Sequence, residues 1–163
     1  MDKKYKIGMY GGKFMPFHKG HFYCVEIASS QCEILYVLLF HGGDQELEIL
    51  KTRHEKWLQP ENRLKRIQKA CKKFKNVKVV PVDITKCKFE DGTEDWDKET
   101  KLVLDICGHI DAVYGSEPEY AEYFKRAYPK AIYEIIDVER KTVPISGTKI
   151  REMSEEERKL WII

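Results

Sequence analysis

The stretch Ile34–Phe40, which reads ILYVLLF, is an uninterrupted run of apolar residues. Such a run, without polar residues at alternate positions, is typical of a strand that is buried on both faces of a parallel sheet. Shorter runs of strand type lie on either side of it in the chain, at Tyr5–Tyr10, Val77–Val82, Ala112–Tyr114 and Ala131–Ile136. Together these runs predict five strands.

Helical patterns separate the predicted strands. Pro60 can occupy the first position of a helix, and apolar residues follow it at helical spacing, at Leu64, Ile67, Cys71 and Phe74. The segments Lys98–Cys107 and Pro118–Tyr128 show similar spacing, and Ser154–Glu157 matches a capping box. This alternation predicts an α/β fold with one parallel sheet and helices on both of its faces. Ligands bind such sheets at the carboxyl ends of the strands, near the point where strand order reverses.

The length and composition of the chain limit its domains and its partners. A length of 163 residues suits one domain, over residues 1–163, with a single core. The net charge is only +2, because 27 acidic residues along the chain offset 29 lysines and arginines, those of the Lys65–Lys78 region included, so we expect no nucleic-acid partner. No apolar run approaches the roughly 20 residues that a membrane span needs, so we expect no membrane partner. No feature of the sequence marks a subunit interface, so the sequence leaves open whether the protein forms a homo-oligomer.

The cysteines and the first residues of the chain bear on its cellular compartment. The five cysteines are odd in number and none forms a CxxC pair, which argues against a disulfide framework and against a zinc knuckle. Reduced thiols are typical of cytosolic proteins. Residues 1–10 carry four charged side chains and no long apolar segment, so the sequence predicts no signal peptide. We therefore expect a cytoplasmic protein.

The segment after the first predicted strand carries residues suited to binding an anion. It reads GGKFMPFHKGH from Gly11 to His21. Gly11 and Gly12 let the backbone approach a phosphate closely, and Lys13 adds a positive charge. His18 and His21 lie at the expected start of a helix, where N–H groups and partial positive charge favour anions. A His-x-x-His pair can also bind a metal ion, but no carboxylate or cysteine lies close in sequence to complete the ligands, so we expect no protein metal site.

The same segment carries a family resemblance. The string His18-Lys19-Gly20-His21 resembles the HxGH signature of the nucleotidyltransferase superfamily, which implies a Rossmann-like sheet. The longer string is similar to the GKFxPxHxGH form of nicotinamide-nucleotide adenylyltransferases, especially the domain of bifunctional NAD-biosynthesis proteins that also carry a ribosylnicotinamide kinase. Met15 stands where many pantetheine-phosphate adenylyltransferases and cytidylyltransferases have an aspartate. We expect one nucleotidyltransferase domain and no kinase domain.

A second motif lies near the other end of the sequence. It reads ISGTKIR from Ile145 to Arg151 and resembles the ISxTxIR signature of the same superfamily. Ser146 and Thr148 offer hydroxyl groups, and Gly147 permits close approach of a ligand. Arg151 can bind phosphate oxygens in a bidentate manner. A helix-capping serine followed by a surface arginine would look the same, but the HxGH loop upstream favours phosphate binding.

Weaker matches between the two motifs bear on the substrates. Val113–Glu117 ends the fourth predicted strand, where the family contacts the adenosine half of ATP, so the resemblance implies that Ser116 contacts ATP. Gly92–Trp96 resembles a Gly-Trp-x-x-Trp segment that helps to hold the nicotinamide ring. Thr93 replaces the first tryptophan and Trp96 matches the second. A lone tryptophan before a helix can also pack in the core, and that interpretation stays open.

Two arginines complete the implied substrate contacts. Arg63 opens the second predicted helix, where the family often has an arginine near the substrates, although a solvated helix arginine would look the same. Arg140 lies within Asp137–Thr142, a segment that leads into the second motif much as a basic segment does in the nicotinamide type.

The resemblance implies attack by a substrate phosphate on the α-phosphorus of ATP. A phosphate monoester is largely ionised at neutral pH, so catalysis depends on positioning and electrostatic stabilisation rather than on a strong general base. The implied catalytic residues are Lys13, His18, His21 and Arg151. The implied ATP- and phosphate-binding residues are Gly11, Gly12, Gly20, Ser116, Ser146 and Thr148. Mg²⁺ would arrive with ATP and have few or no protein ligands.

We expect ATP and nicotinamide mononucleotide as substrates, with NAD and pyrophosphate as products. The deamidated mononucleotide differs only at the ring substituent and stays open as an acceptor. A cytidylyltransferase acting on a phosphorylated alcohol or sugar is an alternative, against which Lys13, Met15 and Arg151 argue. Another alternative is a nucleotide-sensing module, which would not need groups that stabilise pyrophosphate. The polar segment Gly42–Gln59 is expected to be a mobile lid or a long surface loop.

Overall fold

The computed structural model describes residues 2–53, 55–137 and 142–163. Its strands are β1 (Tyr5–Gly12), β2 (Cys32–His41), β3 (Val77–Asp83), β4 (Ala112–Gly115) and β5 (Ile132–Ile135). They form one parallel sheet in the order β3-β2-β1-β4-β5. Each strand overlaps one of the five predicted runs, so the predicted α/β class with a parallel sheet is confirmed.

The helices follow the strands in sequence. They are α1 (Lys19–Gln31), α2 (Asp44–Thr52), α3 (Pro60–Cys71), α4 (Trp96–Cys107), α5 (Ala121–Ala127), α6 (Gly147–Glu152) and α7 (Glu155–Arg158), with 3-10 turns at Lys56–Leu58 and Pro118–Tyr120. The segment Gly42–Gln59, which was expected to be a mobile lid or a long surface loop, contains α2 and a 3-10 turn among its described residues. Glu46 and Leu58 of this segment are buried. No helix among the described residues has both the length and the apolar character to cross a membrane.

The apolar run of β2 contributes to the core on both faces of the sheet, as predicted. Leu35, Val37 and Leu39 lie in one buried cluster with residues of α1 and α3. Leu38 lies in a second buried cluster, with Val103 of α4. The two clusters are separated by the sheet, so helices cover both of its faces.

The sheet topology places a ligand crevice beside β1. Gly8 of β1 pairs with Leu35 of β2 on one side and with Ala112 of β4 on the other. The chain proceeds from β1 to β2 and β3 on one side, and then crosses to β4 and β5 on the other. Strand order therefore reverses between β1 and β4, and the carboxyl ends of these two strands form the crevice where ligands bind in such sheets.

Substitution of Gly8 by alanine should destabilise the fold. A methyl group at this position would lie 2.4 Å from Cys32 Sγ and 3.1 Å from Tyr114 Cε2, and both side chains are buried. We expect the free energy of unfolding to fall by about 1–3 kcal/mol, the usual cost of overpacking a core. Urea denaturation measures this change. The exposed Lys6→Ala on the same strand is the control and should change stability by less than about 0.5 kcal/mol.

Candidate functional site

A cavity of about 720 Å³ opens at the carboxyl ends of β1 and β4. Its walls include the loop after β1, the start of α1, the end of β4 and the start of α6. The cavity brings together most of the residues that the sequence analysis singled out: Gly11, Gly12, Lys13, His18, Gly20, His21, Trp96, Ser116, Ser146, Thr148 and Arg151. The two motifs therefore share one concave site at the reversal of strand order.

The hydrogen bonds of His18 and His21 set the tautomer of both rings. His18 is the N-cap of α1, and its Nδ1 accepts a hydrogen bond from the Gly20 N–H at 3.0 Å. The Nδ1 of His21 accepts from the His18 N–H at 3.2 Å. A neutral imidazole that accepts at Nδ1 carries its proton on Nε2. Each ring therefore presents Nε2–H as its donor, and a phosphate oxygen is a suitable acceptor for it.

Aromatic packing holds the two imidazoles in place. The rings of His18 and His21 are stacked with their centroids 3.7 Å apart. Phe17 stacks on His21 at 5.6 Å, and Phe14 meets the same ring edge-on at 4.8 Å. Phe14 and Phe17 are themselves buried, so the orientation of His21 is fixed by the core beneath it. This arrangement is preorganised, which favours electrostatic stabilisation of a transition state.

Lys13 supplies a positive charge to the cavity. Its ammonium donates a hydrogen bond to Gln45 Oε1, which lies on α2. Burial lowers the pKa of Lys13, while the nearby carboxylates of Glu94 and Glu117 act in the opposite direction. A partly desolvated cation interacts more strongly with an anion than a fully hydrated one does. An anionic ligand in the cavity would therefore gain from contact with Lys13.

The second motif contacts the first through its arginine. Arg151 donates from Nη1 to the main-chain oxygen of Met15 at 2.8 Å and from Nη2 to Thr148 Oγ1 at 3.3 Å. A Cβ atom at Gly147 would lie 3.1 Å from the same Met15 oxygen, so glycine permits the close approach of α6. Ser146 is the N-cap of α6 and accepts from the Lys149 N–H at 3.3 Å. The capping interpretation of Ser146 is thus correct, and the residue lines the cavity as well.

An aromatic wall, formed by Trp96, Tyr120 and Tyr123, lines part of the cavity. Trp96 lies 5.0 Å from Tyr123 and 5.7 Å from Tyr120, measured between ring centroids. Trp96 is 41% exposed and lines the cavity, so it does not pack in the core. Thr93, which replaces the first tryptophan of the family segment, instead donates to Asp91 Oδ1 at 2.6 Å. Trp96 is therefore available to contact a ligand, while the Thr93 hydroxyl is directed to Asp91.

Two carboxylates on this wall were not singled out from the sequence. Glu94 accepts a hydrogen bond from Trp96 Nε1 at 3.1 Å, and both Glu94 and Glu99 line the cavity. Burial, followed by the charge of Glu94, raises the pKa of Glu99 to about 7. The helical spacing of three residues between Trp96 and Glu99 was the only available signal, since it places both on one face of α4. Nothing in the local sequence shows that this face borders a cavity.

Replacement of Glu99 by glutamine should change how stability depends on pH. The folded protein holds the Glu99 proton up to about pH 7, whereas the unfolded chain releases it near the ordinary pKa of 4.5. The folded state binds more protons between these values, so this group lowers the free energy of unfolding as pH rises from about 4.5 to about 7.

Glu99→Gln should remove that part of the pH dependence. After allowance for solvent screening, we expect the variant to be more stable than the wild type at pH 8 by up to about 1 kcal/mol, and equally stable at pH 4.5. Urea denaturation at the two pH values measures the effect, with the exposed Glu122→Gln as the control. Equal stability of wild type and Glu99→Gln at pH 8 would contradict the raised pKa.

The structure does not bring Arg63 to the cavity. Its side chain is fully buried and is directed to protein groups, among them Glu46 at 2.8 Å and the main-chain oxygen of Lys13 at 2.6 Å. Arg140 lies outside the described residues. Among the residues that the structure describes, no group of three or more His, Cys, Asp or Glu side chains is arranged to hold a metal ion.

Comparison with known protein families gives one match over most of the chain. The family model described as "Cytidylyltransferase-like" matches residues 9–153, a range that includes both motifs and the cavity. A comparison with curated protein sequences gave no significant match.

Solved structures share this fold. A NadR protein in complex with NAD and AMP-PNP aligns over 99% of this chain and 46% of its own, with 24% identity and a TM-score of 0.70. A bifunctional NMN adenylyltransferase/ADP ribose pyrophosphatase from Francisella tularensis aligns over 91% of this chain and 41% of its own, with 19% identity and a TM-score of 0.63. This chain spans less than half the length of either protein.

A third structure aligns over nearly the whole length of both chains. The Plasmodium falciparum nicotinic acid mononucleotide adenylyltransferase, complexed with NaAD, covers 99% of this chain and 91% of its own, with 15% identity and a TM-score of 0.51. At such identities these likenesses establish the fold, which is the Rossmann-like nucleotidyltransferase sheet.

Proposed function

Since this chain belongs to the cytidylyltransferase-like family of HxGH nucleotidyltransferases, we propose that it transfers AMP from ATP to nicotinamide mononucleotide, giving NAD and pyrophosphate. The main support for the proposal is that the HxGH motif and the ISGTKIR motif line the same cavity. Lys13, the two histidines and Arg151 all line that cavity, although Lys13 and Arg151 lie far apart in sequence. Cations and N–H donors that line one cavity suit a reaction between two phosphate-bearing molecules.

The proposed chemistry requires little acid–base catalysis. The phosphate of the acceptor attacks the α-phosphorus of ATP, a new P–O bond forms, and the bond to pyrophosphate breaks. The acceptor phosphate is already largely ionised at pH 7, so no residue needs to remove a proton from it. The main barrier is the approach of two anions, and Lys13 and Arg151 lower it by offsetting their charge. ATP enters as its Mg²⁺ complex, which needs few protein ligands.

The Nε2–H groups of His18 and His21 have a defined part in this scheme. They donate hydrogen bonds to the phosphate oxygens of ATP and stabilise the charge that accumulates on the departing pyrophosphate. The hydroxyls of Ser146 and Thr148 hold the β- and γ-phosphates, with Gly11, Gly12 and Gly20 allowing the backbone to come close. Ser116, at the end of β4, contacts the adenosine half of ATP.

The aromatic wall supports a nucleotide with an aromatic base as the acceptor. Trp96 and Tyr120 are partly exposed beside the cavity and offer faces on which a nicotinamide ring can stack. Among the structural relatives, the NadR protein is in complex with NAD, and the Francisella protein is an NMN adenylyltransferase. The Plasmodium enzyme is a nicotinic acid mononucleotide adenylyltransferase, so the deamidated acceptor has to be tested as well.

Pyrophosphate release distinguishes the candidate functions. We expect release with MgATP and nicotinamide mononucleotide, together with formation of NAD. Parallel reactions contain MgATP with nicotinic acid mononucleotide, and MgCTP with glycerol 3-phosphate. Pyrophosphate release only in the CTP reaction would identify the chain as a cytidylyltransferase. Release only with nicotinic acid mononucleotide would identify the deamidated mononucleotide as the acceptor. ATP binding without release in any mixture would support a sensing module.

Trp96→Ala should weaken binding of the acceptor and leave ATP binding intact. Loss of a stacking surface costs about 1–3 kcal/mol, so we expect the KM for nicotinamide mononucleotide to rise about 10-fold or more. The KM for ATP should change by less than about twofold. Phe89→Ala, which removes an exposed aromatic residue outside the cavity wall, is the matched control. An unchanged acceptor KM in Trp96→Ala would remove this residue from the proposed site.

A further inference from the structure

A buried ion pair lies beneath the proposed site. Arg63 Nη2 and Glu46 Oε1 are 2.8 Å apart, and the two side chains are 0% and 2% exposed. Burial of two charges costs several kcal/mol, and a hydrophobic pair of similar volume often gives equal or greater stability. The presence of this pair is therefore weak evidence that it only stabilises the fold. The other contacts of Arg63 and Glu46 show which segments of the chain the pair connects.

The guanidinium of Arg63 joins three segments of the chain. Nε donates to the main-chain oxygen of Leu58 at 2.8 Å, and Nη1 donates to the main-chain oxygen of Lys13 at 2.6 Å. Nη2 faces Glu46. Nε and Nη1 thus have hydrogen-bond acceptors, and Nη2 has an ion-pair partner without an aligned hydrogen bond. Arg63 therefore connects segments of the protein and is not directed at a substrate phosphate.

Glu46 extends the connection to the side chain of Lys13. Its second oxygen, Oε2, accepts a hydrogen bond from the Gly42 N–H at 2.8 Å, which ties the start of α2 to the end of β2. The preceding residue, Gln45, accepts the hydrogen bond from the Lys13 ammonium. The pair therefore holds Lys13 at two points: its main-chain oxygen through Arg63, and its ammonium through the first turn of α2.

We infer that the buried Arg63–Glu46 pair is a positioning device, which sets where the ammonium of Lys13 stands in the cavity. The catalytic role of Lys13 in this inference rests on the proposed function. The position of the Lys13 ammonium can nevertheless be measured without any reaction. Displacement of a charged group by about 1 Å can cost on the order of 100-fold in rate. Lysine at position 63 would keep the charge and lose the planar fork that reaches three partners.

Two measurements on Arg63→Lys test the inference. The kcat for pyrophosphate release should fall by about 10-fold or more, with the KM for ATP changed by less than about threefold. In NMR titrations of protein labelled with ¹³C at lysine Cε, the Lys13 signal, assigned from its loss in Lys13→Met, reports its pKa. We expect a pKa below the ordinary 10.5 in the wild type and a return toward that value in Arg63→Lys, because the ammonium becomes more hydrated.

Arg66→Lys is the matched control. Arg66 lies on the same helix and donates to the main-chain oxygen of Ile163 at 3.2 Å, away from Lys13. It should leave the Lys13 pKa unchanged and kcat within about twofold. Equal losses of kcat in Arg63→Lys and Arg66→Lys would indicate a general weakening of the fold and would overturn the inference.

Other outcomes are equally decisive. A folded Arg63→Lys protein whose Lys13 pKa matches the wild type overturns the positioning role, whether or not kcat falls. If Arg63→Lys does not fold, the double variant Arg63→Gln/Glu46→Gln replaces the pair by two neutral amides. It should show the same fall in kcat and a displaced Lys13 signal, and a wild-type result would overturn the inference. If the wild type releases no pyrophosphate, the proposed function is wrong, and the Lys13 titration alone decides whether the Arg63–Glu46 pair positions Lys13.

Discussion

Replacement of His21 by alanine should lower kcat by about 100-fold or more while the protein remains folded. The Nδ1 atom of His21 accepts from the His18 N–H, so the ring carries its proton on Nε2, and the residue lines the cavity. Under the proposed function, this donor stabilises charge on the phosphates more strongly in the transition state than in the ground state. Removal of one such preorganised donor costs about 10²–10³ in kcat.

A fall in kcat in His21→Ala must be distinguished from a loss of stability. His21 also closes the capping box of α1, and loss of a cap costs about 0.5–2 kcal/mol of stability. His21→Asn keeps a side-chain oxygen that can accept from the His18 N–H, yet it lacks Nε2–H, so it should lose turnover and retain more stability. Kinetics of pyrophosphate release and urea denaturation, measured on both variants, give the two quantities.

The control for this variant is His109→Ala. His109 is largely exposed, pairs with Asp111 at 2.5 Å, and lies outside the cavity wall. It should retain kcat within about twofold. Near-wild-type turnover in folded His21→Ala would exclude His21 from transition-state stabilisation.

Replacement of Lys13 by methionine should lower kcat/KM by on the order of 100-fold. Methionine has a similar length and no charge, so the substitution removes the ammonium and little of the packing. In the wild type, burial lowers the pKa of Lys13, because desolvation disfavours the charged ammonium. Phosphates from two substrates would meet this cation in the cavity, and its loss leaves their mutual repulsion uncompensated.

Steady-state kinetics with each substrate varied in turn measure the effect of Lys13→Met. The exposed Lys65→Met on α3 serves as the control for the loss of one positive charge and should keep kcat/KM within about twofold. Lys13 is held by Gln45, so the substitution also removes a surface hydrogen bond, whose effect on the urea midpoint should be small. A kcat/KM near that of the wild type in Lys13→Met would show that Lys13 has no part in the reaction.

Local sequence patterns determined the fold class and the two halves of the site. The apolar run Ile34–Phe40 identified a strand buried on both faces, and the structure places its side chains in two clusters. The GGKFMPFHKGH and ISGTKIR strings identified the groups that line the cavity. These features depend on residues that are neighbours in sequence, because periodicity and backbone geometry act over a few residues.

Contacts between distant residues could be decided only by the tertiary structure. The sequence presented Arg63 as a helix arginine near a substrate, whereas the fold buries it against Glu46 and the Lys13 carbonyl. The only local signal for Glu99 was its helical spacing from Trp96, and its pKa of about 7 arises from burial and from the charge of Glu94 on the same wall. The physical reason is the same in both cases: burial and charge interaction depend on which segments the sheet brings together, and one-dimensional spacing does not specify that.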